Sequence, residues 1–301
     1  MHRFKSISEF HNYSNLPKSE HPLISLVDYS KVNYATNSDK IKWMQDFYSI
    51  GLKRNISEKF NYGQQKYDFD EGVFSFVAPQ QILTIKINQN IKVNASGWLL
   101  LIHPDFLWNT PLAKSIKNHD FFDYAVNEAL FLSEKEENIV IEILKNIQRE
   151  YQSNIDKFSQ NIIISHIELL LNYAERYYER QFITRKISNH QILIKLEQVL
   201  NNYFNNSETL INGIPSVVQI SNDLNLSPNY LSSVLKIVSG QSTQQHIQNK
   251  LIEKAKEKLS TTELSVSEIA YELGFEYPAS FSKLFKSKTN VSPIEFRQSF
   301  N

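Results

Sequence analysis

ISNDLNLSPNYLSSVLK (residues 220–236) and IAYELGFEYPASFSKLFK (residues 269–286) are two copies of one pattern, and the second copy has one extra residue. Each copy has a short amphipathic stretch, then a turn, then a second helix with Pro228 or Pro278 in its first turn. The small residues Ser221 and Ala270 occupy equivalent positions, where two helices can cross closely. The pattern therefore predicts a pair of short helices joined by a tight turn, present twice.

The segment between the two copies is predicted to be one connecting helix. Residues 243–259 carry an apolar residue at every fourth position, from Ile247 through Leu251 and Ala255 to Leu259. The second helix of a helix-turn-helix unit has the size that fits the major groove of DNA, where side chains contact base edges. A rigid connector would place two such helices about one DNA turn, roughly 34 Å, apart.

Further residues of this region follow a fixed order. They are Leu226-Ser227-Pro228, Tyr230-Leu231-Ser232, Gly240-Gln241-Ser242, Ala255, Leu259, Ser267-x-Ile269-Ala270-x-x-Leu273-Gly274-Phe275, Phe281-Ser282-Lys283-Leu284-Phe285-Lys286 and Ser292-Pro293-x-x-Phe296-Arg297. With them, residues 213–300 resemble the C-terminal DNA-binding domain of AraC/XylS-type transcription regulators. Two positions depart from that pattern: Ser233 replaces a frequent Arg, and Asn290 replaces the usual Gly before Ser-Pro. The first change removes a charge from the DNA contact, whereas Asn still permits a left-handed turn.

The resemblance implies, residue by residue, which side chains contact DNA. It places base contacts at Asn229, Ser232 and Ser233 in the first recognition helix and at Ala279, Ser280, Ser282 and Lys283 in the second. Asn pairs with adenine, Lys pairs with guanine, and Ala contacts the thymine methyl group. Phosphate contacts, which orient a protein without specifying sequence, fall at Lys236, Lys286 and Arg297. The alternatives are a solvated helix face for the serines and, for Arg297, a contact with Glu295 or a helix end.

Apolar residues at helical spacing in both copies are predicted to form a core instead of contacting DNA. They are Leu231, Val234, Leu235, Phe281, Leu284 and Phe285. Tyr230 is expected to pack with them.

The first third of the chain is predicted to consist mainly of strands. Short runs rich in β-branched and aromatic residues are separated by turn signals such as Ala78-Pro79 and Ser96-Gly97. This spacing predicts an antiparallel sandwich or barrel. The resemblance implies a cupin-like β-barrel that senses a small molecule. The predicted strands are Leu23–Asp28, Asp46–Leu52, Val73–Val77, Ile82–Ile87 and Trp98–His103.

The middle of the chain is predicted to be helical, because residues 112–212 contain neither glycine nor proline. Ser133 and Glu136 form a capping box at the start of one helix. A second helix, residues 156–179, is apolar nearly all round between residues 162 and 171. Such a helix buries more than one face, against neighbouring elements, in a homodimer, or in both. A further helix is predicted over residues 187–205.

Composition restricts the function classes. The 301 residues carry no net charge and include no cysteine, which excludes disulfides, thiolate nucleophiles and cysteine-ligated metal sites. No apolar run approaches the roughly 20 residues of a membrane span, and no secretory signal is visible, so we expect a cytoplasmic protein. The eight histidines lack His-x-His or His-x-x-x-His spacing, so neither a metal site nor a cofactor is predicted.

These observations predict an α+β fold with three regions: a cupin-like ligand-sensing barrel (1–115), a helical dimerisation region (116–186) and an AraC-type DNA-binding domain (187–301). The predicted function is sequence-specific regulation of transcription, without enzymatic activity, modulated by a small molecule. The predicted partners are double-stranded DNA, a small-molecule effector, a second copy of the chain and RNA polymerase. One alternative makes the barrel a protein-docking module without a ligand, and another makes it a metal-dependent cupin enzyme. Residues 213–301 carry a net charge of only +1, which predicts weak non-specific binding and dependence on dimerisation.

Overall fold

The computed structural model describes residues 2–32, 40–54, 61–62, 65–66, 72–86, 96–125, 128–153, 156–184, 186–205, 209 and 212–299. These residues form two compact units, one within residues 1–181 and the other within residues 182–301. Among the described residues, no helix is long and apolar enough to cross a membrane.

The described residues of the first unit include the five predicted strands among ten, and these ten strands form three sheets. The largest is an antiparallel five-stranded sheet in the order β10-β7-β4-β9-β2, and a second sheet has the order β1-β3-β8. The strands are β1 (His2–Phe4), β2 (Ile24–Asp28), β3 (Lys40–Gln45), β4 (Tyr48–Arg54), β5 (Asn61–Tyr62), β6 (Gln65–Lys66), β7 (Val73–Val77), β8 (Ile82–Lys86), β9 (Ser96–Ile102) and β10 (Leu130–Phe131).

The barrel prediction is only partly correct. Over the described residues the two larger sheets are separate, so they do not close into one barrel, and β1 pairs with β3 in parallel. The reason lies in pairing partners far apart in sequence, because β1 adds to β3 about forty residues later. Local alternation of apolar residues carries no information on such a pairing.

The five-stranded sheet has two different faces. Ile50 and Leu52 of β4 point to one face and are fully buried, whereas Ser49, Gly51 and Lys53 point to the other. On this second face, Leu99 packs in a core cluster with Trp43 of β3. The residues between the two larger sheets therefore come from both of them.

The helices of the first unit are α1 (Ile7–Tyr13), α2 (Leu112–Ser115), α3 (Glu134–Gln152) and α4 (Ser159–Thr184), and α4 ends three residues inside the second unit. The capping box of Ser133 and Glu136 is confirmed at the start of α3. The described residues of 112–131 correct the helical prediction, since the elements they form are one short helix, 3-10 turns and β10. Leu130 of β10 pairs with Phe74, and this edge pairing competes with local helix formation.

Helix α4 buries most, but not all, of its apolar residues. The residues Ile163, Ile164, Ile167, Leu170 and Leu171 are at most 5% exposed. By contrast, Ile162 is 41% exposed and Leu169 is 43% exposed. The helix is therefore buried against its own unit over one broad face, and a narrower apolar stripe faces outward.

The described residues of the second unit are mainly helical and share a large buried cluster. Leu196 and Leu200 of α5 belong to the same buried cluster as the residues of the helices that follow, so α5 is part of this unit. Its helices are α5 (Lys186–Asn205), α6 (Val217–Asp223), α7 (Pro228–Ser239), α8 (Thr243–Thr261), α9 (Val266–Glu272), α10 (Pro278–Thr289) and α11 (Pro293–Gln298).

Candidate nucleic-acid interface

The two copies of the sequence pattern fold into two units with the same turn. Between α6 and α7, the amide of Leu226 donates to the carbonyl of Ser221 at 2.9 Å, and between α9 and α10, the amide of Phe275 donates to Ala270 at 3.0 Å. Each turn contains one left-handed residue, Asn225 (φ 55°) or Gly274 (φ 85°). This hydrogen bond and this conformation end a helix tightly. The internal repeat is thus confirmed as two helix-turn-helix units.

Small residues allow the helices of each unit to approach closely. Ser221 and Ala270 are both completely buried. The hydroxyl of Ser221 donates to the carbonyl of Val217 at 2.7 Å, so no polar group of this side chain is left without a partner. The predicted place of these residues at a helix crossing agrees with their burial.

The ends of both recognition helices, α7 and α10, are set by local sequence. Ser227 caps α7 by accepting a hydrogen bond from the amide of Tyr230. Pro228 and Pro278 occupy the first turns of α7 and α10. Asn290 ends α10 with φ 66°, which confirms that asparagine provides the left-handed turn expected there. The two recognition helices are therefore equal in length, with twelve residues each.

The predicted core faces of α7 and α10 are confirmed. Leu231, Val234 and Leu235 are completely buried, as are Phe281 and Phe285. Leu284 packs against the same cluster while partly exposed. Tyr230 is 1% exposed, with its ring 5.3 Å from that of Phe182, and therefore acts in packing.

The second recognition helix, α10, exposes most of its candidate base contacts on one face. Ala279, Ser280 and Lys283 are exposed, and Ser282 is half-buried. Residues three and four apart on a helix are neighbours, so Ala279, Ser280 and Lys283 form one continuous patch. This patch offers small side chains beside one cation, a surface that can approach base edges closely.

The first recognition helix, α7, exposes its candidate base contacts less than α10 does. Asn229 and Ser233 are partly exposed, and Lys236 is exposed. The hydroxyl of Ser232 lies 3.0 Å from the hydroxyl of Thr243, the first residue of α8, and Thr243 is completely buried. Ser232 is thus already occupied by a contact with the connecting helix.

Arg297 lies against the end of the connecting helix. Its Nε donates to the carbonyl of Leu259, in the last turn of α8, at 3.2 Å. Its Nη2 atom is buried and has no hydrogen-bond partner. The helix-end contact, predicted as the alternative to a phosphate, is the contact that Arg297 makes here.

Positive charge on the second unit is distributed unevenly. Along α8, Lys250 pairs with Glu253 and Lys254 with Glu257, while Lys258 pairs with Glu272, each at 2.7 or 2.8 Å. The hydrogen bond and charge of Lys254 lower the pKa of Glu257. Within the part of the chain that the structure describes, no carboxylate forms an ion pair with the exposed lysines of the recognition helices. These lysines are Lys236, Lys283, Lys286 and Lys288.

One exposed aromatic residue was missed by the sequence prediction. Tyr277 precedes α10 directly and is 62% exposed. A tyrosine hydroxyl at this position can donate to a DNA phosphate. The sequence does mark this residue, because Tyr277 falls where the second copy of the repeat is one residue longer than the first.

The first unit contains a cavity of about 90 Å³. Trp43 of β3 and Leu83 of β8 line it from one sheet, and Gly51, Ser75 and Leu99 line it from the other. No group of three or more histidine, aspartate or glutamate side chains suited to a metal ion occurs among the residues described.

Comparison with known proteins assigns the C-terminal region. Residues 220–299 match the family model described as a helix-turn-helix domain. The chain is 31% identical over 144 residues to the uncharacterized HTH-type transcriptional regulator YfiF of Bacillus subtilis, covering 48% of this chain and 42% of YfiF. It is 34% identical over 84 residues to the raffinose operon transcriptional regulatory protein RafR of Pediococcus pentosaceus, covering 28% of this chain and 30% of RafR.

A solved structure, the C-terminal domain of the two-component response regulator yesN from Fusobacterium nucleatum, is 34% identical and has a TM-score of 0.30. That match covers 34% of this chain and 96% of the solved one. The chain spans less than half the length of YfiF and of RafR. Residues 220–299 are thus a helix-turn-helix domain of the AraC type, similar to the DNA-binding domains of transcriptional regulators.

Proposed function

We propose that this chain, whose C-terminal unit carries an AraC-type helix-turn-helix domain, is a sequence-specific DNA-binding regulator of transcription. The observation that carries the proposal is the pair of matched helix-turn-helix units, each with a lysine-bearing recognition helix. Regulators among its relatives favour a role that is not enzymatic. Residues 187–301 are the proposed DNA-binding domain, with 1–115 as sensor and 116–186 as dimerisation region.

Roles within the interface follow from exposure and reach. In α10 we assign base contacts to Ala279, Ser280, Ser282 and Lys283, and in α7 to Asn229 and Ser233. Lys236 and Lys286, one turn further along, are assigned to phosphates. Because Ser232 bonds to Thr243, we assign it first to positioning α7 on the connector.

The proposed active form is a homodimer. A DNA-binding region with a net charge of +1 gains little from bulk electrostatics, so a second copy would supply the missing affinity. Ile162 and Leu169, two turns apart on one face of α4, form an outward apolar stripe. We assign the dimer contact to this stripe.

Sedimentation of the purified chain tests the dimer contact. The variant with Ile162→Glu and Leu169→Glu is expected to sediment as a monomer. Ile82→Glu is the matched control, since Ile82 is also exposed, at 53%, but lies on β8. A dimer in the first variant, or a monomer in the control alone, contradicts the assignment.

The proposed regulation acts through the cavity of the first unit. A ligand that binds better to one conformation shifts the population toward it, so an effector would change the DNA-competent fraction. RNA polymerase is the proposed further partner at the promoter. A protein partner docking on the first unit, without a ligand, is the competing outcome of a ligand screen.

Fluorescence anisotropy tests DNA binding directly. The full chain is titrated onto a labelled duplex from its own upstream region, against an excess of a shuffled duplex of equal composition. We expect a complex that resists the competitor and is weakened when both Lys283 and Lys286 are replaced by Ala. A complex displaced equally by both duplexes, with or without ligands, contradicts sequence-specific binding.

A further inference from the structure

The cavity of the first unit has a floor of small residues. Gly51 of β4 and Ser75 of β7 are paired across the sheet, and a side chain added at Gly51 would meet the Ser75 hydroxyl at 3.3 Å and Leu99 at 3.5 Å. The walls are large and apolar, with Trp43 and Phe76 among them. The small residues on one side and the large apolar residues on the other leave a space that fits a compact apolar group of a ligand.

Most polar side chains at the cavity are already hydrogen-bonded within the protein. The amide nitrogen of Gln45 donates to the carbonyl of Phe47 at 3.0 Å and to the hydroxyl of Ser49 at 2.9 Å, and its oxygen accepts from Trp43 Nε1 at 3.4 Å. The hydroxyl of Ser75 donates to the carbonyl of Gly51 at 3.3 Å. A ligand rich in hydroxyl groups would have to break these bonds or leave its own groups unpaired, and both are costly.

Lys53 is different from the other polar residues at the cavity. It is half-buried, and its ammonium group lies 4.6 Å from the ring centre of Tyr29, which also lines the cavity. Among the described residues, no carboxylate forms an ion pair with Lys53, whereas the next residue, Arg54, pairs with Glu137. A cation beside an apolar cavity, without an acidic partner, favours an anionic ligand group.

We propose that the cavity binds a small apolar monoanion, such as a carboxylate with one ring or a short chain, whose negative group pairs with Lys53. A volume of about 90 Å³ exceeds the roughly 10–15 Å³ that one water needs and is below the roughly 150 Å³ of a cavity that binds benzene. The enclosed part of the ligand is therefore no larger than about one ring. This inference rests on the effector-sensing part of the proposed function, and it names the ligand class.

Calorimetric titration of the full chain tests the ligand class. The probes are phenylacetate, cyclohexanecarboxylate and hexanoate, each compared with its neutral amide. At least one anion is expected to bind about tenfold more tightly than its amide. The quenching of tryptophan fluorescence provides a second readout, because the buried Trp43 lines the cavity.

Three variants distinguish the effect of the Lys53 charge from the effect of the cavity volume and from a loss of folding. Lys53→Met keeps the aliphatic stem and is expected to abolish the preference for the anion over the amide. Lys31→Met, which removes an exposed lysine that pairs with Asp28 and does not line the cavity, is expected to retain it. Gly51→Val is expected to fill the cavity and to remove binding of anion and amide alike, with the melting temperature showing that the variant is folded.

The outcomes distinguish this inference from the proposed function. Saturable binding by none of the three anions, equal affinity for anion and amide, or an unchanged preference in Lys53→Met overturns the ligand class. DNA binding is measured separately by anisotropy. Specific DNA binding without anion binding overturns only the ligand class, whereas anion binding without specific DNA binding overturns only the regulator.

Discussion

The hydroxyl groups of Ser232 in α7 and Thr243 in α8 lie 3.0 Å apart, so the first recognition helix is fastened to the first residue of the connecting helix. Ser232 stands at a position that the family pattern assigns to base contact. In the second copy the equivalent residue is Ser282 of α10, which is half-buried and makes no such bond among the described residues. Among the described residues, a side chain on the DNA-facing side of α7 is therefore bonded to a neighbouring helix, whereas the equivalent side chain of α10 is not.

Removing this bond should lower stability. Thr243→Val keeps the shape of the side chain and leaves Ser232 without its partner, at an expected cost of about 1 kcal/mol in the free energy of unfolding. Denaturant unfolding measures this cost. If Ser232 acts through positioning, Ser232→Ala in the Thr243→Val background changes DNA affinity no further. An additional loss confined to one base pair of the operator would instead assign Ser232 to base contact.

Lys283 and Lys286 should respond differently to replacement by Ala. Loss of a base contact at Lys283 is expected to cost about 1–3 kcal/mol for the preferred base pair and to relax specificity there. Loss of a phosphate contact at Lys286 should weaken binding to all sequences alike and reduce the salt slope by about one unit. Anisotropy at several salt concentrations, with single base substitutions in the duplex, measures both. Equal losses with unchanged preference in both variants refute the assignment.

Replacing Arg297 should lower the stability of the fold and leave DNA binding unchanged. Arg297→Met removes the hydrogen bond to the carbonyl of Leu259 and is expected to cost about 1 kcal/mol of stability. The salt slope of DNA binding should stay unchanged, because no phosphate contact is lost. Lys286→Met is the matched control for the slope. A reduced slope in Arg297→Met would restore the phosphate role to this residue.

Gly274 should tolerate alanine less well than Gly240 does. Both have positive φ, 85° and 72°, so alanine at either costs about 1–2 kcal/mol for the left-handed conformation. At Gly274 the added carbon would also lie 2.7 Å from the backbone of Gly213, whereas nothing lies within 4 Å at Gly240. Overpacking adds about 1–3 kcal/mol. Equal melting temperatures for the two variants would contradict this packing.

Stability should fall as the pH drops below about 6.5, the ordinary pKa of histidine. Burial lowers the pKa of His246, whose Nε2 lies 2.7 Å from the hydroxyl of Ser239, and Glu197 offsets the effect in part. The unfolded chain therefore binds the proton more readily than the folded chain does. The stability that neutral His246 contributes is complete above its unfolded pKa and is lost as the pH falls through its lower folded pKa. His246→Gln should flatten the pH dependence of the melting temperature, and an unchanged dependence in this variant would contradict the assignment.

The second unit could be predicted well because its signals are local. Capping residues, the prolines in the first turns and the left-handed Asn290 each act within a few positions of the chain. The first unit was predicted less well because its sheets join distant residues, as in the pairing of Ile24 with Ile102. The periodicity of apolar residues could not predict the contacts of Ser232 and Arg297 either, since each contact depends on where the connecting helix lies after folding.

The few lysines on the recognition helices also set how the chain responds to its ionic surroundings. Each neutralised phosphate contributes about −0.9 to the slope of log affinity against log salt, so the two lysines assigned to phosphates, Lys236 and Lys286, give roughly −1.8 per chain. Proteins that neutralise many more phosphates lose affinity steeply when the cellular ion content rises. Under the proposed function, promoter occupancy would therefore depend less on osmotic conditions than it does for those proteins.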